Sequence, residues 1–162
     1  RALLVRKQME VADHSLGGRE SVTQLETHLD HLNGEDLGMA LTELMGMPEV
    51  LDVLWLPGVG KKNRPAGLLR VLCQPRHRET VAKAVIRHTH TLGLRFQILE
   101  RMVIPRTPAR LRLQGEALAA KRYVVEGEEY VRPEADELAE AARRLGVGVP
   151  ALRYGLKYDE QS

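Results

Sequence analysis

The sequence predicts an α+β fold: a ferredoxin-like split βαβ arrangement (βαββαβ) with one antiparallel sheet and a small appended β-β-α unit. Three observations predict this fold class. Four segments alternate between apolar and polar residues or are largely apolar, as strands are. Two segments carry apolar residues at the i, i+3, i+4 spacing of an amphipathic helix. These six segments follow one another in the order β-α-β-β-α-β over roughly residues 22–104.

The first strand is expected over residues 22–32, which alternate in polarity. Residues 1–20 precede it and are expected to form an entry segment or linker. The side chains expected on the buried face are Leu25, Thr27 and Leu29, and those on the opposite face are Glu26, His28 and Asp30.

The first helix is expected to begin after Asn33, because asparagine often caps a helix N-terminus, and to end before Pro48. A second helix is expected over residues 78–90. The predicted apolar stripes are Leu37, Ala40, Leu41, Leu44 and Met45 in the first helix, and Val81, Ala82, Val85 and Ile86 in the second.

The remaining strands of the sheet are expected over residues 50–56, over residues 67–73 and from Leu94 onward. The second and third strands are close enough in the chain to form a hairpin around a loop at residues 57–65. With both helices on one face, the other face of the sheet would be open for assembly or for a ligand.

The pattern changes after Pro105. A short strand at residues 111–113, a small hairpin at residues 122–132 and a helix from Pro133 to Gly146 are expected. The predicted organisation is therefore an entry segment (1–20), a ferredoxin-like domain (21–106), a small appended ββα unit (107–148) and a tail (149–162).

Positive charge is concentrated in the middle of the chain. Thirteen of the 24 Lys and Arg residues lie between Val53 and Gly115, where Glu79 and Glu100 are the only acids, although the net charge of the chain is only +2. Such a segment suits a polyanionic ligand.

The composition excludes several classes of protein. The single cysteine excludes an intrachain disulfide and is typical of a reducing compartment. No apolar stretch reaches the roughly 18 residues of a membrane-spanning helix, and no signal-peptide pattern is present. We therefore expect a cytoplasmic protein without a membrane partner. The chain begins at Arg1 rather than Met, which fits either a piece of a longer polypeptide or a trimmed terminus.

Glu26, His28 and Asp30 form the first candidate site. Period-two geometry places two carboxylates and an imidazole on one face of one strand, where they can approach a divalent cation. His31 follows at the strand end. The alternative interpretation is the solvated polar face of an edge strand.

Lys61, Lys62 and Arg64 form the second candidate site, in the loop that begins with Gly58 and Gly60. Backbone N–H groups and mobile cations at such a loop suit phosphate oxygens. The spacing does not match a Walker A motif, and an exposed basic hairpin loop is the alternative interpretation.

Thr91, Gly93 and Arg95 form the third candidate site, which offers a hydroxyl, a close backbone approach and a guanidinium suited to phosphate. His88 and His90 fit a helix C-terminus better than a pair of metal ligands, because the helix dipole favours positive charge there. Outside these sites, the sequence carries no serine or cysteine nucleophile motif, and Cys73 is expected to be a buried structural thiol.

The order and spacing of these motifs resemble a known family. The segments that carry the resemblance are Glu26-Thr-x-Leu-Asp30, Leu51-Asp-Val53, Lys61-Lys-Asn-Arg-Pro65, Leu72-Cys-x-Pro75 and Thr91-Leu-Gly-Leu-Arg95. Together they are similar to the C-terminal domain of the nickel-pincer cofactor nickel insertases, the LarC family, over about residues 23–106. A weaker similarity continues through residues 131–138 and the final helix.

The resemblance implies an enzyme that inserts nickel into pyridinium-3,5-bisthiocarboxylic acid mononucleotide, which yields the nickel-pincer cofactor of lactate racemase-type enzymes. It implies CTP as co-substrate, Mn²⁺ or Mg²⁺, a homo-trimer or hexamer, and an N-terminal domain of the same protein that supplies nickel. By the same resemblance, Glu26 and Asp30 would hold the metal. His28 between them is a predicted metal ligand from the strand spacing alone. The implied phosphate-binding positions are Lys61, Lys62, Arg64, Thr91, Gly93 and Arg95.

The chain departs from the family at four histidines, His28, His31, His88 and His90, where the family usually has Asn, Asp, Glu and Ser. Histidines beside an acidic strand favour a softer metal or a changed function. The alternative function is a non-catalytic, oligomeric nucleotide- or anion-binding module with a ferredoxin-like fold. RNA binding is disfavoured, because ferredoxin-like RNA binders expose aromatic side chains on the sheet and this region has one Phe.

Overall fold

The computed structural model describes residues 17–113 and 116–154. Most of the predicted entry segment (1–16) and the end of the predicted tail (155–162) lie outside the described residues. The chain divides into two compact units. One is Arg19–Arg101, and the other is drawn from Arg1–Gly18 and Met102–Ser162.

The unit formed by Arg19–Arg101 is a four-stranded sheet with two helices. Its elements are β1 (Gly18–Leu29), α1 (Gly34–Met45), β2 (Val50–Val59), β3 (Pro65–Cys73), α2 (Arg78–Thr89) and β4 (Arg95–Val103). The strands lie in the order β2-β3-β1-β4, and β3 is antiparallel to both of its neighbours. This confirms the predicted ferredoxin-like βαββαβ fold class.

Local sequence signals set the helix ends. The Asn33 side chain accepts a hydrogen bond from the backbone N–H of Asp36 at 2.8 Å, which caps the start of α1 as expected. At the end of α2, His90 takes the left-handed conformation (φ 51°) and its N–H donates to the Ile86 carbonyl. The conformation of His90 therefore ends α2 and starts the turn that leads to β4.

One face of the sheet is covered by the helices. The buried core there is aliphatic and comprises Leu25 and Leu29 from β1, Leu69, Val71 and Cys73 from β3, Leu44 from α1, and Val81, Ala84 and Val85 from α2. The strand register places Leu25 opposite Val71, so the odd-numbered residues of both strands face this core. The even-numbered residues of β1 and β3 lie on the other face, called the open face below.

Three details of the predicted elements were wrong. Met45 and Ile86 are 67% and 48% exposed, because each lies at the margin of a helix stripe that is centred on other residues. The loop expected at residues 57–65 is a tighter hairpin, because β2 and β3 extend to pair Val59 with Pro65. The first strand ends at Leu29 rather than near Leu32, because the following residues turn toward the cap of α1.

The second unit contains a three-stranded antiparallel sheet and two helices. Its elements are β5 (Arg106–Leu113), β6 (Glu116–Val125), β7 (Glu128–Pro133), α3 (Ala135–Leu145) and α4 (Val149–Tyr154). The strand order is β5-β6-β7. Its core comprises Leu113, Leu118, Leu138, Ala141, Ala142 and Leu152.

The strands of the second unit are much longer than expected from the sequence. Alternating arginines in β5 and alanines in β6 give a weak strand pattern, because alanine is depleted in strands and arginine adds no apolar face. The hairpin between β6 and β7 turns at Glu126 and Gly127, which both have positive φ, as a type I′ turn requires. None of the helices in the described part of the chain is long and apolar enough to cross a membrane.

Candidate functional site

His28 and Asp30 lie at the end of β1 on the open face, and both side chains are exposed. Their position follows from the alternation of β1, because Thr27 and Leu29 between them are buried against the helices. Two turns flank this strand end: the β2–β3 hairpin on one side and the α2–β4 turn on the other. Each turn forms a cavity together with His28 and Asp30.

Glu26 is placed differently from the other two predicted metal ligands. Its Oε1 accepts hydrogen bonds from Arg70 Nε at 2.9 Å and from Gln24 Nε2 at 3.0 Å. Arg70 lies directly opposite Glu26 on β3, and its second nitrogen approaches the same oxygen at 2.8 Å. The charge of Glu26 is therefore balanced within the open face, whereas Asp30 is left facing the cavities.

The tip of the β2–β3 hairpin carries Lys61, Lys62 and Arg64. Lys62 and Asn63 both have positive φ, 60° and 57°, and the Arg64 N–H donates to the Lys61 carbonyl at 3.4 Å. This is the geometry of a type I′ turn. A lysine rarely adopts positive φ, so the hairpin holds its three exposed cations on a tight, constrained turn.

The first cavity has a volume of about 410 Å³ and lies between the hairpin and the end of β1. Its polar lining comes from Lys61, His28 and Asp30, and glycines at positions 58, 60 and 67 contribute backbone to its wall. Lys62 and Arg64 belong to the same turn but do not line this cavity. The cavity thus brings together one predicted cation and two predicted metal ligands.

A buried network of hydroxyl groups fixes the α2–β4 turn to β1. Thr27 Oγ1 lies 2.5 Å from Thr91 Oγ1 and donates to the Gly93 carbonyl at 2.8 Å. Thr91 Oγ1 also approaches that carbonyl at 3.0 Å. Thr91 is only 7% exposed, so its hydroxyl serves the turn itself, and Gly93 contributes its carbonyl to the same network.

The second cavity has a volume of about 690 Å³ and lies between this turn and the end of β1. Its charged and titratable lining residues are His28, Asp30, His31, His90 and Arg95. His31 Nε2–H donates to the Thr89 carbonyl at 2.8 Å, and His31 Nδ1 lies 3.9 Å from Asp30. This hydrogen bond holds the His31 ring at the end of α2.

The residues predicted for the site are therefore only partly brought together. His28 and Asp30 line both cavities, and Lys61 lines the first. The second is also lined by Thr91, Gly93 and Arg95. Among the residues that the structure describes, no three His, Cys, Asp or Glu side chains are grouped to hold a metal ion. The metal-binding and nucleotide-binding roles of these residues stay predictions.

The structure adds two positions that support the candidate site and that the sequence did not single out. Thr27 holds the α2–β4 turn, and Arg70 neutralises Glu26. Both contacts join residues more than 40 positions apart in the chain. The alternation of β1 could have marked Thr27 as a buried hydroxyl, but nothing in the sequence names its partner.

Two further features lie outside this site. A cavity of about 860 Å³ is lined by α1 and the end of α2, where Arg87 and His88 share the lining with Glu35 and Glu43. Its mixed charge makes it a poorer match for phosphate.

Cys73 is fully buried as expected, and burial raises the pKa of its thiol, against the lowering effect of Arg78.

The chain is similar to several known proteins. A family model described as nickel insertion protein matches residues 1–153. A pyridinium-3,5-bisthiocarboxylic acid mononucleotide nickel insertion protein of Alkaliphilus metalliredigens is 30% identical over 157 residues, which are 96% of this chain and 36% of that protein. An Archaeoglobus fulgidus protein with the provisional name nickel insertion protein is 31% identical over 135 residues, 79% of this chain and 33% of that protein. The chain spans about a third of the length of these curated relatives.

Two solved structures are also similar. The C-terminal domain of a cyclometallase involved in the synthesis of the NPN cofactor of lactate racemase, in its apo form, superposes with a TM-score of 0.79 at 25% identity, over 89% of this chain and 100% of that chain. A protein of Methanopyrus kandleri superposes with a TM-score of 0.55 at 27% identity, over 85% of this chain and 92% of that chain.

Proposed function

Because the chain belongs to the nickel insertion protein family, we propose that it is the C-terminal, CTP- and divalent-metal-binding part of a nickel insertase. The substrate proposed for the whole enzyme is pyridinium-3,5-bisthiocarboxylic acid mononucleotide, after which the Alkaliphilus relative is named. Nickel would be inserted into this substrate to make the nickel-pincer cofactor. As the family resemblance implies, we also propose that the enzyme is a homo-trimer or hexamer and that an N-terminal domain of the same protein supplies the nickel.

The observation that carries the proposal is the position of Asp30 and His28 between two cavities. One cavity adds Lys61 and the other adds Arg95, so cations flank a free carboxylate from two turns. A triphosphate with its divalent metal needs this combination of charges, since cations contact the phosphate oxygens and a carboxylate contacts the metal.

The residues fit a metal that arrives on the nucleotide better than a metal held by the protein alone. Mg²⁺ is usually held by one or two carboxylates together with substrate phosphates, and Asp30 is the free carboxylate in both cavities. A bound metal would offset the charge of the phosphates. Lys61 and Arg95 would orient the phosphate chain. The hydrogen bonds between Thr27 and Thr91 would keep the α2–β4 turn, which precedes Arg95, in place.

Calorimetric titration of the purified chain with CTP, in the presence of Mn²⁺ or Mg²⁺, tests this proposal. We expect saturable, metal-dependent binding. Lys61→Ala and Arg95→Gln should each weaken it about tenfold or more, since a hydrogen bond to a charged group contributes about 1.5–3 kcal/mol. Asp30→Asn should reduce the dependence on metal. The control is Lys83→Ala, which removes an exposed cation from α2 and should leave binding unchanged.

Two outcomes would contradict the proposal. Absence of CTP binding with either metal would refute it, and so would an equal loss of affinity in Lys83→Ala. CTP binding without release of pyrophosphate, when the mononucleotide substrate and the rest of the enzyme are supplied, would favour the alternative of a non-catalytic nucleotide-binding module.

A further inference from the structure

The second unit has an exposed sheet face that the proposed function does not use. On this sheet, the core residues Leu113 and Leu118 face the helices and pack in one core with Leu138 of α3. The opposite face is called the basic face, and its side chains are Arg106, Arg110 and Arg112 on β5, Lys121 and Tyr123 on β6, and Tyr130 and Arg132 on β7. These residues share one face because they alternate with the buried positions of the same strands.

The register of the strands arranges the basic face in rows. Arg106 lies opposite Tyr123, and Tyr123 lies opposite Tyr130, so one row contains a guanidinium and two phenol rings. The next row along β6 contains Lys121 and Arg132, which also lie opposite each other. Rows on one face of a strand are about 7 Å apart, so the rings and the second group of cations are neighbours.

The two tyrosines of the basic face stack on each other. Their ring centroids lie 5.7 Å apart and the ring planes differ by 19°. Tyr130 is 43% exposed, and its hydroxyl donates to Glu128 at 2.9 Å. This hydrogen bond raises the pKa of Tyr130 above its ordinary value.

The cations of the basic face are largely available for a ligand. Its two carboxylates are already engaged, since Glu134 pairs with Lys121 at 2.8 Å and Glu128 accepts the Tyr130 hydroxyl. Within the described parts of the chain, the four arginines of the face have no ion-pair partner. A cavity of about 670 Å³ is lined by Arg106, Arg110 and Lys121, and also by Glu134, the carboxylate that pairs with Lys121.

We propose that the basic face binds the pyridinium mononucleotide on which the enzyme acts, with its phosphate on the β5 arginines and its ring on the tyrosine pair. This inference rests on the proposed function. The ligand combines anionic groups with a cationic aromatic ring. Guanidinium groups pair with phosphate and carboxylate-like anions, and a ring cation is attracted to a tyrosine face.

The arrangement favours a mononucleotide over single-stranded nucleic acid. Proteins that bind single strands place aromatic side chains along a groove so that successive bases can stack. The basic face has one aromatic row, and the positions along β6 beyond Lys121 are the small residues Ala119 and Ala117. The face therefore offers one stacking position with cations beside it, rather than a series of stacking positions.

Binding of nicotinic acid mononucleotide, a stable pyridinium mononucleotide, to the intact chain tests the inference by calorimetry. Arg110→Gln and Arg106→Gln should each weaken binding about tenfold, because each loses a charge-assisted contact to phosphate. Tyr130→Leu should weaken it about fivefold or more through loss of ring stacking. The matched control is Arg122→Gln on the opposite face of β6, where Arg122 pairs with Glu129 at 3.3 Å, and it should bind like the wild type.

The outcomes separate this inference from the proposed function. Metal-dependent CTP binding should be unchanged in Arg110→Gln, since Arg110 lies outside both CTP cavities. If the wild-type chain binds the mononucleotide but does not bind CTP, the proposed function is overturned and the inference about the basic face is not. Equal affinity of Arg110→Gln and Arg122→Gln for the mononucleotide would overturn the inference. Tighter, steeply salt-dependent binding of an oligouridylate would also overturn it, because the face would then be a nucleic-acid surface.

Discussion

Two buried threonines on the same face of β1 are expected to respond oppositely to the same substitution. Thr23 and Thr27 are 0% and 1% exposed. Thr27 donates to Gly93 and contacts the Thr91 hydroxyl. Thr23 Oγ1, by contrast, has no hydrogen-bond partner among the described residues. Replacement by valine keeps the shape of each side chain and removes only its hydroxyl.

The magnitudes follow from this difference. Thr27→Val removes two buried hydrogen bonds, each contributing about 1 kcal/mol, so the free energy of unfolding should fall by about 2 kcal/mol. Thr23→Val removes a buried hydroxyl whose desolvation is uncompensated, and relief of that penalty should raise the free energy of unfolding by about 1 kcal/mol or more. Thr27→Ser retains a hydroxyl and should recover part of the loss.

Urea unfolding followed by the fluorescence of Trp55, the single tryptophan, provides the assay. Trp55 packs against the core of the four-stranded sheet, so it reports on the unit that contains both threonines. With a urea dependence of about 2 kcal/mol per molar, the midpoint should fall by about 1 M for Thr27→Val and rise by about 0.5 M for Thr23→Val. Shifts of the same sign in both variants would refute the reasoning from hydrogen-bond partners.

Two other substitutions test the packing around the same core. A Cβ at Gly67 would overlap the Trp55 ring, whereas a Cβ at Gly58 would meet nothing within 4 Å. Gly67→Ala should therefore cost about 3 kcal/mol by urea unfolding and Gly58→Ala much less; equal costs would contradict this packing. Burial raises the pKa of Cys73, so its stabilising contribution should be full below about pH 8.5 and be lost as pH rises through the folded pKa. The stability of Cys73→Ala should lack that pH dependence, and rapid alkylation of native Cys73 by iodoacetamide would argue against a buried thiol.

Much of the four-stranded unit could be predicted because its signals are local. The alternation of β1 correctly assigned Leu25, Thr27 and Leu29 to the buried face, and Asn33 marked the start of α1. Helix margins were less predictable. Ile86 has the helical spacing of a core residue, but its exposure depends on how α2 is rotated against the sheet.

The second unit was harder to predict because its strands have little apolar contrast. The arginines of β5 are on the exposed face of a sheet whose other face packs on helices. In the sequence they are a run of charge without an assigned role. The register with the partner strand β6 places Tyr123 opposite Arg106, and the proposed mononucleotide site rests on that pairing.

For the candidate site, the sequence determined which chemical groups the chain offers. The family resemblance rests on the order in which the motifs that carry these groups follow one another along the chain. It placed Asp30 and His28 on a polar strand face, Lys61 on a glycine-flanked turn and Arg95 after a second turn. Strand periodicity and turn chemistry are properties of neighbouring residues, so they can be read from one chain.

Only the tertiary structure decided which of these groups meet. It paired Glu26 with Arg70 and left Asp30 free between two cavities. It also assigned the Thr91 hydroxyl to Thr27, 64 residues away in the chain. Ion pairs and buried hydrogen bonds depend on distances of about 3 Å, and those distances are set by sheet order and register rather than by any local pattern.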